Sequence, residues 1–344
     1  MKNSLIIGFG RRVKGMLIPA LQLVNDGETF IYSRTIEKVI ADKNKYNVHP
    51  ISELNDDFLK KISKIFISIP NTSVLEILRK LLKYQTKEIN LYIDTPIIPA
   101  ASNIMIKNYI KYFKNIFVLE DFCFNPLNEI IEQLCTSNQL GNFKNIKFIN
   151  NGYSYHSLAQ TRYLLKNRKI NFAIKLKDQL IFYFAGCKIT ITGDRIDKGY
   201  TIIKTQNSSI CINNKNISCD FNIGYIFDQQ VISGYKINNK ILEIPTNLKN
   251  NLIKLKKICN KYDIYKRHSQ EQVISLLYLI TQCEMNEGKK YLFEDGVNDS
   301  FVVAVANKVK IYFDFNLFKK SFLLSIFNII SSIIFFQKKK KFSI

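Results

Sequence analysis

Leu5 to Ile7 form a short unbroken apolar run that Gly8-Phe9-Gly10 interrupts, after which Val13, Met16, Leu17, Ala20 and Leu21 recur at the spacing of one helix face. This pattern predicts a strand, a glycine turn and an amphipathic helix. The alternation continues down the first third of the chain. Strands are predicted over residues 29–33, 64–69, 89–93 and 116–119, and helices over 74–82, behind the turn Pro70-Asn71-Thr72, and over 101–112. Continuous apolar strands separated by helices specify a parallel, doubly wound sheet covered on both faces. The ligand crevice of such a sheet lies at the carboxyl ends of its strands, where Gly8, Ser33, Pro70, Asp94 and Glu120 fall.

The pattern changes in the second half. A helix is predicted from Pro126 to Leu134 and a strand over 145–149, leading to Asn151-Gly152-Tyr153-Ser154-Tyr155-His156. From 172 to 245, short strands such as 180–184, 188–192, 200–205 and 209–212 alternate with Gly, Asn and Asp turns, which reads as a mostly antiparallel open sheet. Amphipathic helices are predicted over 269–283 and 295–308. The fold class expected is α/β, an N-terminal Rossmann domain (1–121) joined to a C-terminal α+β domain (122–313) with a large open sheet. An apolar, then Lys-rich tail (314–344) follows.

The chain has 344 residues, 47% of them hydrophobic, enough for two domains with cores and too apolar for a disordered protein. Its formal charge of +22 raises nucleic acid as a partner, but only eight of the 50 basic residues are Arg and the lysines are spread throughout. Biased composition accounts for this better than a binding patch, and no nucleic-acid partner is expected. Seven cysteines without paired C-x-x-C spacing indicate a reducing compartment and no structural metal. The first apolar run is broken by the glycines, Arg11, Arg12 and Lys14, so no signal peptide is read and a cytoplasmic protein is expected.

Glycines at positions 8 and 10 let a backbone turn approach a pyrophosphate, whose charge the free N–H groups of the following helix would meet. The dinucleotide fingerprint is incomplete, because its third glycine would fall at Val13 and Gly15 comes two residues late. At the end of the next strand, Ser33-Arg34 replaces the acidic residue that would hold the ribose 2′-hydroxyl of NAD. A hydroxyl beside a guanidinium suits the 2′-phosphate of NADP, so NADP is expected ahead of NAD.

In IIGFGRRV, the Ser33-Arg34 strand end, FISIPNTSVLEIL and Asp94-Thr95-Pro96, the chain resembles the glucose-fructose oxidoreductase and inositol dehydrogenase (Gfo/Idh/MocA) family, over residues 1 to about 310. The resemblance implies hydride transfer between a nicotinamide and a hydroxyl-bearing carbon of a sugar or nucleotide sugar, as in surface-polysaccharide synthesis. It implies cofactor contacts from Gly8, Phe9, Gly10, Arg11, Arg12, Ser33, Arg34, Pro70, Asn71, Asp94, Thr95 and Pro96. It also implies a homo-oligomer assembled through the open face of the sheet. Two departures qualify the catalytic set. Thr95 stands where the family has a Lys, and of its Asp-x-x-x-His helix motif only His156 remains, with Gly152 in the Asp position. His156 would transfer the proton, helped by Tyr153 or Tyr155, and Arg162 could bind an anionic substrate group or pair with a local carboxylate. A catalytically silent dinucleotide- or sugar-binding protein is the alternative those departures allow.

The tail is not a family feature. Phe322, Ile326, Ile329, Ile330 and Ile333 lie opposite a stripe of Ser321, Ser325, Asn328 and Ser332, ahead of Lys338 to Lys341. Residues 315–341 would either pack on the protein or a second subunit, or lie at a membrane interface with the lysines on anionic lipid.

Overall fold

The computed structural model describes residues 3–24, 27–33, 46, 48–97, 106, 108–109, 111–136, 140–151, 154–166, 169–184, 186–193, 199–214, 216–243, 246–284 and 291–313. Strand β1 (Asn3–Ile7) leads through the glycine turn to a π-turn over Val13–Leu17 that continues as α1 (Ile18–Val24). Pro19 gives a reason for the π-turn. A proline ring collides with the carbonyl four residues back, here that of Gly15, and the wider turn moves that carbonyl away. There follow β2 (Thr29–Ser33), β3 (Val48–Pro50), α2 (Asp56–Leu59), β4 (Ile62–Ile67), α3 (Val74–Leu81), β5 (Asn90–Asp94) and β6 (Asn115–Leu119). The six strands pair in the order β3-β2-β1-β4-β5-β6, all parallel. The order reverses between β1 and β4, which places the crevice above that junction.

A 3-10 turn (Asp121–Phe124) connects β6 to α4 (Pro126–Thr136), after which come β7 (Phe143–Ile149) and α5 (Ser154–Leu164). Strands β8 (Ile170–Leu176), β9 (Gln179–Phe184), β10 (Cys187–Thr192), β11 (Tyr200–Thr205), β12 (Ser209–Ile212), β13 (Phe221–Asp228), β14 (Val231–Ile237) and β15 (Lys240–Ile241) follow. The chain then runs through α6 (Thr246–Tyr262), α7 (Arg267–Glu284), α8 (Phe293–Val309) and β16 (Ile311–Phe313). The second sheet has ten strands in the order β15-β14-β13-β12-β11-β7-β10-β9-β8-β16. Only β7–β10 and β12–β13 pair in parallel, so the sheet is mostly antiparallel, as the turn-rich pattern predicted.

Three helices fix how the halves meet. Leu276, Leu279 and Ile280 of α7, with Tyr291 and Phe293 at the start of α8, are buried in the core of the parallel sheet. Gly296 permits the close approach of α8, because a Cβ there would lie 2.6 Å from Cδ1 of Ile97. Helix α5 is buried along nearly its whole length although it carries Ser157, Gln160, Thr161 and Arg162. A helix this polar is buried only if most of its polar groups find partners. Gln160 Nε2 donates to Asn128 at 2.7 Å, and the Thr161 hydroxyl donates back to the Ser157 carbonyl at 2.8 Å.

Two strands and two helices, α6 and the one-turn α2, were not foreseen. β3 and β16 are three-residue edge strands too short to show alternation. Residues after 245 were expected to follow a strand region, yet α6 spans seventeen residues. Its signal is present in the sequence, since Leu252, Leu255, Ile258 and Cys259 are buried at helical spacing among lysines. His268 is half-buried on α7. Most of the helix predicted over 101–112 lies outside the described residues.

Candidate functional site

The glycine turn is shaped first by the sheet. Gly8 has φ +121°, and a Cβ on it would lie 2.1 Å from the carbonyl oxygen of Ser68, so the end of β4 itself requires glycine there. Gly10 is exposed with open space around it, which leaves the backbone at the helix start accessible. Phe9 packs edge-on against Tyr46, and Arg11 is exposed. Ser33 is buried at the end of β2, Pro70 is exposed, and Asn71 is half-buried in the turn that opens α3. Arg34 lies outside the described residues.

Arg12 reaches away from the turn to the ends of β5 and β6. Its guanidinium lies 2.9 Å from Asp94 and 2.9 Å from Asp121, and donates to the Leu119 carbonyl at 3.0 Å. Burial alone would lower its pKa, but Asp121 and Asp94 raise it above the ordinary value, so the charge is held firmly. Burial raises the Asp94 carboxyl above its ordinary range, against the opposing pull of Arg12 and of the Ser68 hydroxyl, which donates to it at 2.7 Å. Arg12, for which the resemblance implies a cofactor contact, is thus paired with two carboxylates at the strand ends and keeps 21% of its side chain exposed.

Beside this pair stands a second polar chain. The Thr95 hydroxyl donates to Glu120 at 2.9 Å, next to the cis peptide bond between Thr95 and Pro96. Nδ1 of His156 lies 2.8 and 2.9 Å from the two oxygens of Glu120, whose Oε1 also accepts from the Phe122 backbone N–H at 3.2 Å. Phe122 stacks on the imidazole at 4.4 Å between ring centres, and the half-buried Tyr155 lies against the same ring at 4.3 Å. Glu120 is 0% exposed and His156 5%. One turn along α5 from His156, the buried amide oxygen of Gln160 has no hydrogen-bond partner among the described residues, an acceptor that a hydroxyl could satisfy. Tyr153 and Gly152 lie outside the described residues.

Glu120, Asp121 and His156 bring ligand-type atoms within 4.8 Å of one another. Arg12 already supplies positive charge to Asp121, Thr95 and Phe122 already donate to Glu120, and Nδ1 of His156 lies 2.8 Å from it. Arg162, expected at an anionic substrate group, is instead a clamp between α5 and α8. It donates to Asp299 at 2.9, 2.9 and 2.7 Å and lies 3.4 Å from Asp295, while Tyr291 donates to the same Asp299 at 2.8 Å. Burial would lower the Arg162 pKa, but Asp299 more than reverses this, which is the local-carboxylate pairing the sequence left open. Sequence reasoning placed Glu120 at a strand end without a role and missed Asp121, Ser68 and Gln160 as members of the site. The one available signal was the run of acidic residues closing β6.

No family model and no curated protein sequence matches the chain. Its structure is similar to that of a scyllo-inositol dehydrogenase from Lactobacillus casei with bound NAD(H) and scyllo-inositol, at 14% identity over 91% of this chain and 99% of that one (TM-score 0.60). It is also similar to an oxidoreductase from Thermotoga maritima, at 15% identity over 91% of this chain and 98% of that one (TM-score 0.52). The chain shares the fold of these two proteins, a six-stranded parallel sheet followed by a mostly antiparallel one, which is the fold class the resemblance implied.

Proposed function

We propose that this protein is an NADP-dependent oxidoreductase that moves a hydride between the nicotinamide and a hydroxyl-bearing carbon of a sugar or nucleotide sugar, as surface-polysaccharide synthesis would require. The observation that carries the reading is a buried imidazole, His156, set beside the carboxyl ends of β5 and β6 and hydrogen-bonded through Nδ1 to Glu120. That is where a doubly wound sheet binds its ligands. The accessible backbone at Gly10, the Ser33-Arg34 strand end and the unsatisfied Gln160 oxygen suit a pyrophosphate, a 2′-phosphate and a substrate hydroxyl respectively. When bound, the dinucleotide supplies the hydride acceptor or donor. His156 takes the hydroxyl proton in the oxidising direction and returns it in the other. The relative from Lactobacillus casei, solved with NAD(H) and an inositol, supports this class of substrate.

Nicotinamide fluorescence can be followed cleanly because the chain has no Trp. Saturable binding should be stronger for NADPH than for NADH, and Arg34→Ala should abolish the preference; equal affinities in the wild type would return the cofactor to NAD. The second reading, a silent binding protein, is favoured by Thr95 and Gly152 in the family's Lys and Asp positions. Absence of turnover across a panel of inositols, sugars and nucleotide sugars, with nucleotide binding intact, would establish it.

The same reading joins copies through the ten-stranded sheet, which leaves Tyr183 and Phe227 partly exposed, in a reducing cytoplasm. No described helix is long and apolar enough to cross a membrane. The tail, 315–341, lies outside the described residues, and truncation after residue 314 would test whether it holds the protein at a membrane surface.

A further inference from the structure

We infer that Glu120 is the positioning residue for His156, supplying from the end of β6 the carboxylate that α5 lacks at Gly152. The inference rests on the proposed function, in which His156 exchanges the substrate proton. An ionised carboxylate only accepts hydrogen bonds; Glu120 accepts from the Thr95 hydroxyl at 2.9 Å and the Phe122 N–H at 3.2 Å, and Nδ1 of His156 lies 2.8 and 2.9 Å from its two oxygens. Nδ1 therefore carries the proton of the neutral ring, which makes Nε2 its basic atom. Phe122, stacked at 4.4 Å and 14°, keeps the ring from turning over.

The step this arrangement serves balances as follows. The substrate O–H bond breaks as Nε2–H forms, the carbon's C–H electron pair leaves as hydride to the dinucleotide, and the C=O double bond forms. The carbon is oxidised by two electrons and the dinucleotide reduced by two. The positive charge gained by His156 appears beside the buried carboxylate of Glu120, which stabilises it, and Nε2 later releases the proton to solvent. Thr95 accordingly belongs to the support of His156, a different task from that of the Lys it replaces.

The tautomer can be read without a substrate. The chain has three histidines, His49, His156 and His268, so ¹⁵N-histidine-labelled full-length protein compared with His156→Gln identifies the signals of interest. In the wild type, the neutral ring of His156 should carry its proton on Nδ1. Glu120→Gln, which replaces one acceptor oxygen with a donor, should shift at least about half of the neutral ring to the Nε2–H form while NADPH affinity stays within about twofold. Thr95→Val should keep the wild-type tautomer. An unprotonated Nδ1 in the wild type would overturn the inference before any variant is made, as would an unchanged tautomer in folded Glu120→Gln. Failure of the wild type to bind either dinucleotide would overturn the functional reading instead, which separates the two.

Discussion

Arg12 and Arg162 are both guanidiniums with two carboxylate neighbours, and the difference between their surroundings separates the site from the scaffold. Arg162 and Asp299 have side chains only 3% and 0% exposed, sealed between α5 and α8. Arg12 keeps 21% and Asp94 12% at the carboxyl ends of the parallel strands, next to Thr95, Glu120 and His156. A sealed pair can only hold elements together. A partly open one, placed at the crevice, can also meet a ligand. The sequence left Arg162 open between a ligand and a local carboxylate, and Arg12's cofactor contact came from the resemblance; solvent access at the strand ends tells the two apart.

The sharpest way to break the comparison is Asp299→Ala. It leaves Arg162 buried without its main counter-charge and should cost about 3–5 kcal/mol in urea unfolding. A loss of dinucleotide affinity at unchanged stability would place Arg162 in the site after all. His156→Gln should act in the opposite sense, lowering hydride transfer by about 10²-fold or more while costing less stability than Asp299→Ala. If turnover survives it, the crevice is as structural as the clamp.

Gly8→Ala comes next, since its Cβ would meet a backbone carbonyl at a positive φ, with an expected loss of about 1–3 kcal/mol. A variant of wild-type stability would mean that β4 moves freely at Ser68. The smallest effect is a pH dependence. Asp94 is raised from its ordinary 3.8, chiefly by burial, so the native state holds this proton more tightly than the unfolded chain. The stability it contributes is complete below 3.8 and is lost as pH rises through the raised native value. Asp94→Asn should flatten that decline, measured by urea unfolding from about pH 3.5 to about pH 6; identical slopes for the two proteins would remove Asp94 as the cause.

Much of the frame was legible before the structure. The strand at Thr29–Ser33 and those at Tyr200–Thr205 and Ser209–Ile212 were predicted at the residues observed, because an apolar run bounded by turn residues fixes both ends. The crevice-edge residues Gly8, Ser33, Asp94 and Glu120 followed from strand ends alone. The contacts among them did not. His156 meets Glu120 across 36 positions and Arg162 meets Asp299 across 137, distances at which periodicity carries no information. Helix α5 was harder still, because a helix buried by hydrogen bonds shows no apolar stripe.

The sequence by itself determined a parallel sheet followed by a mostly antiparallel one, the glycine turn at the first strand's end, and a single motif histidine. Local propensity and apolar spacing suffice for these, since each depends on neighbours in the chain. Only the tertiary structure decided that Gly8 answers to the Ser68 carbonyl, that Arg12 and Arg162 face carboxylates in different settings, and that the carboxylate beside His156 comes from β6. Each of those rests on a buried polar group having to find its partner wherever the fold brings one within reach.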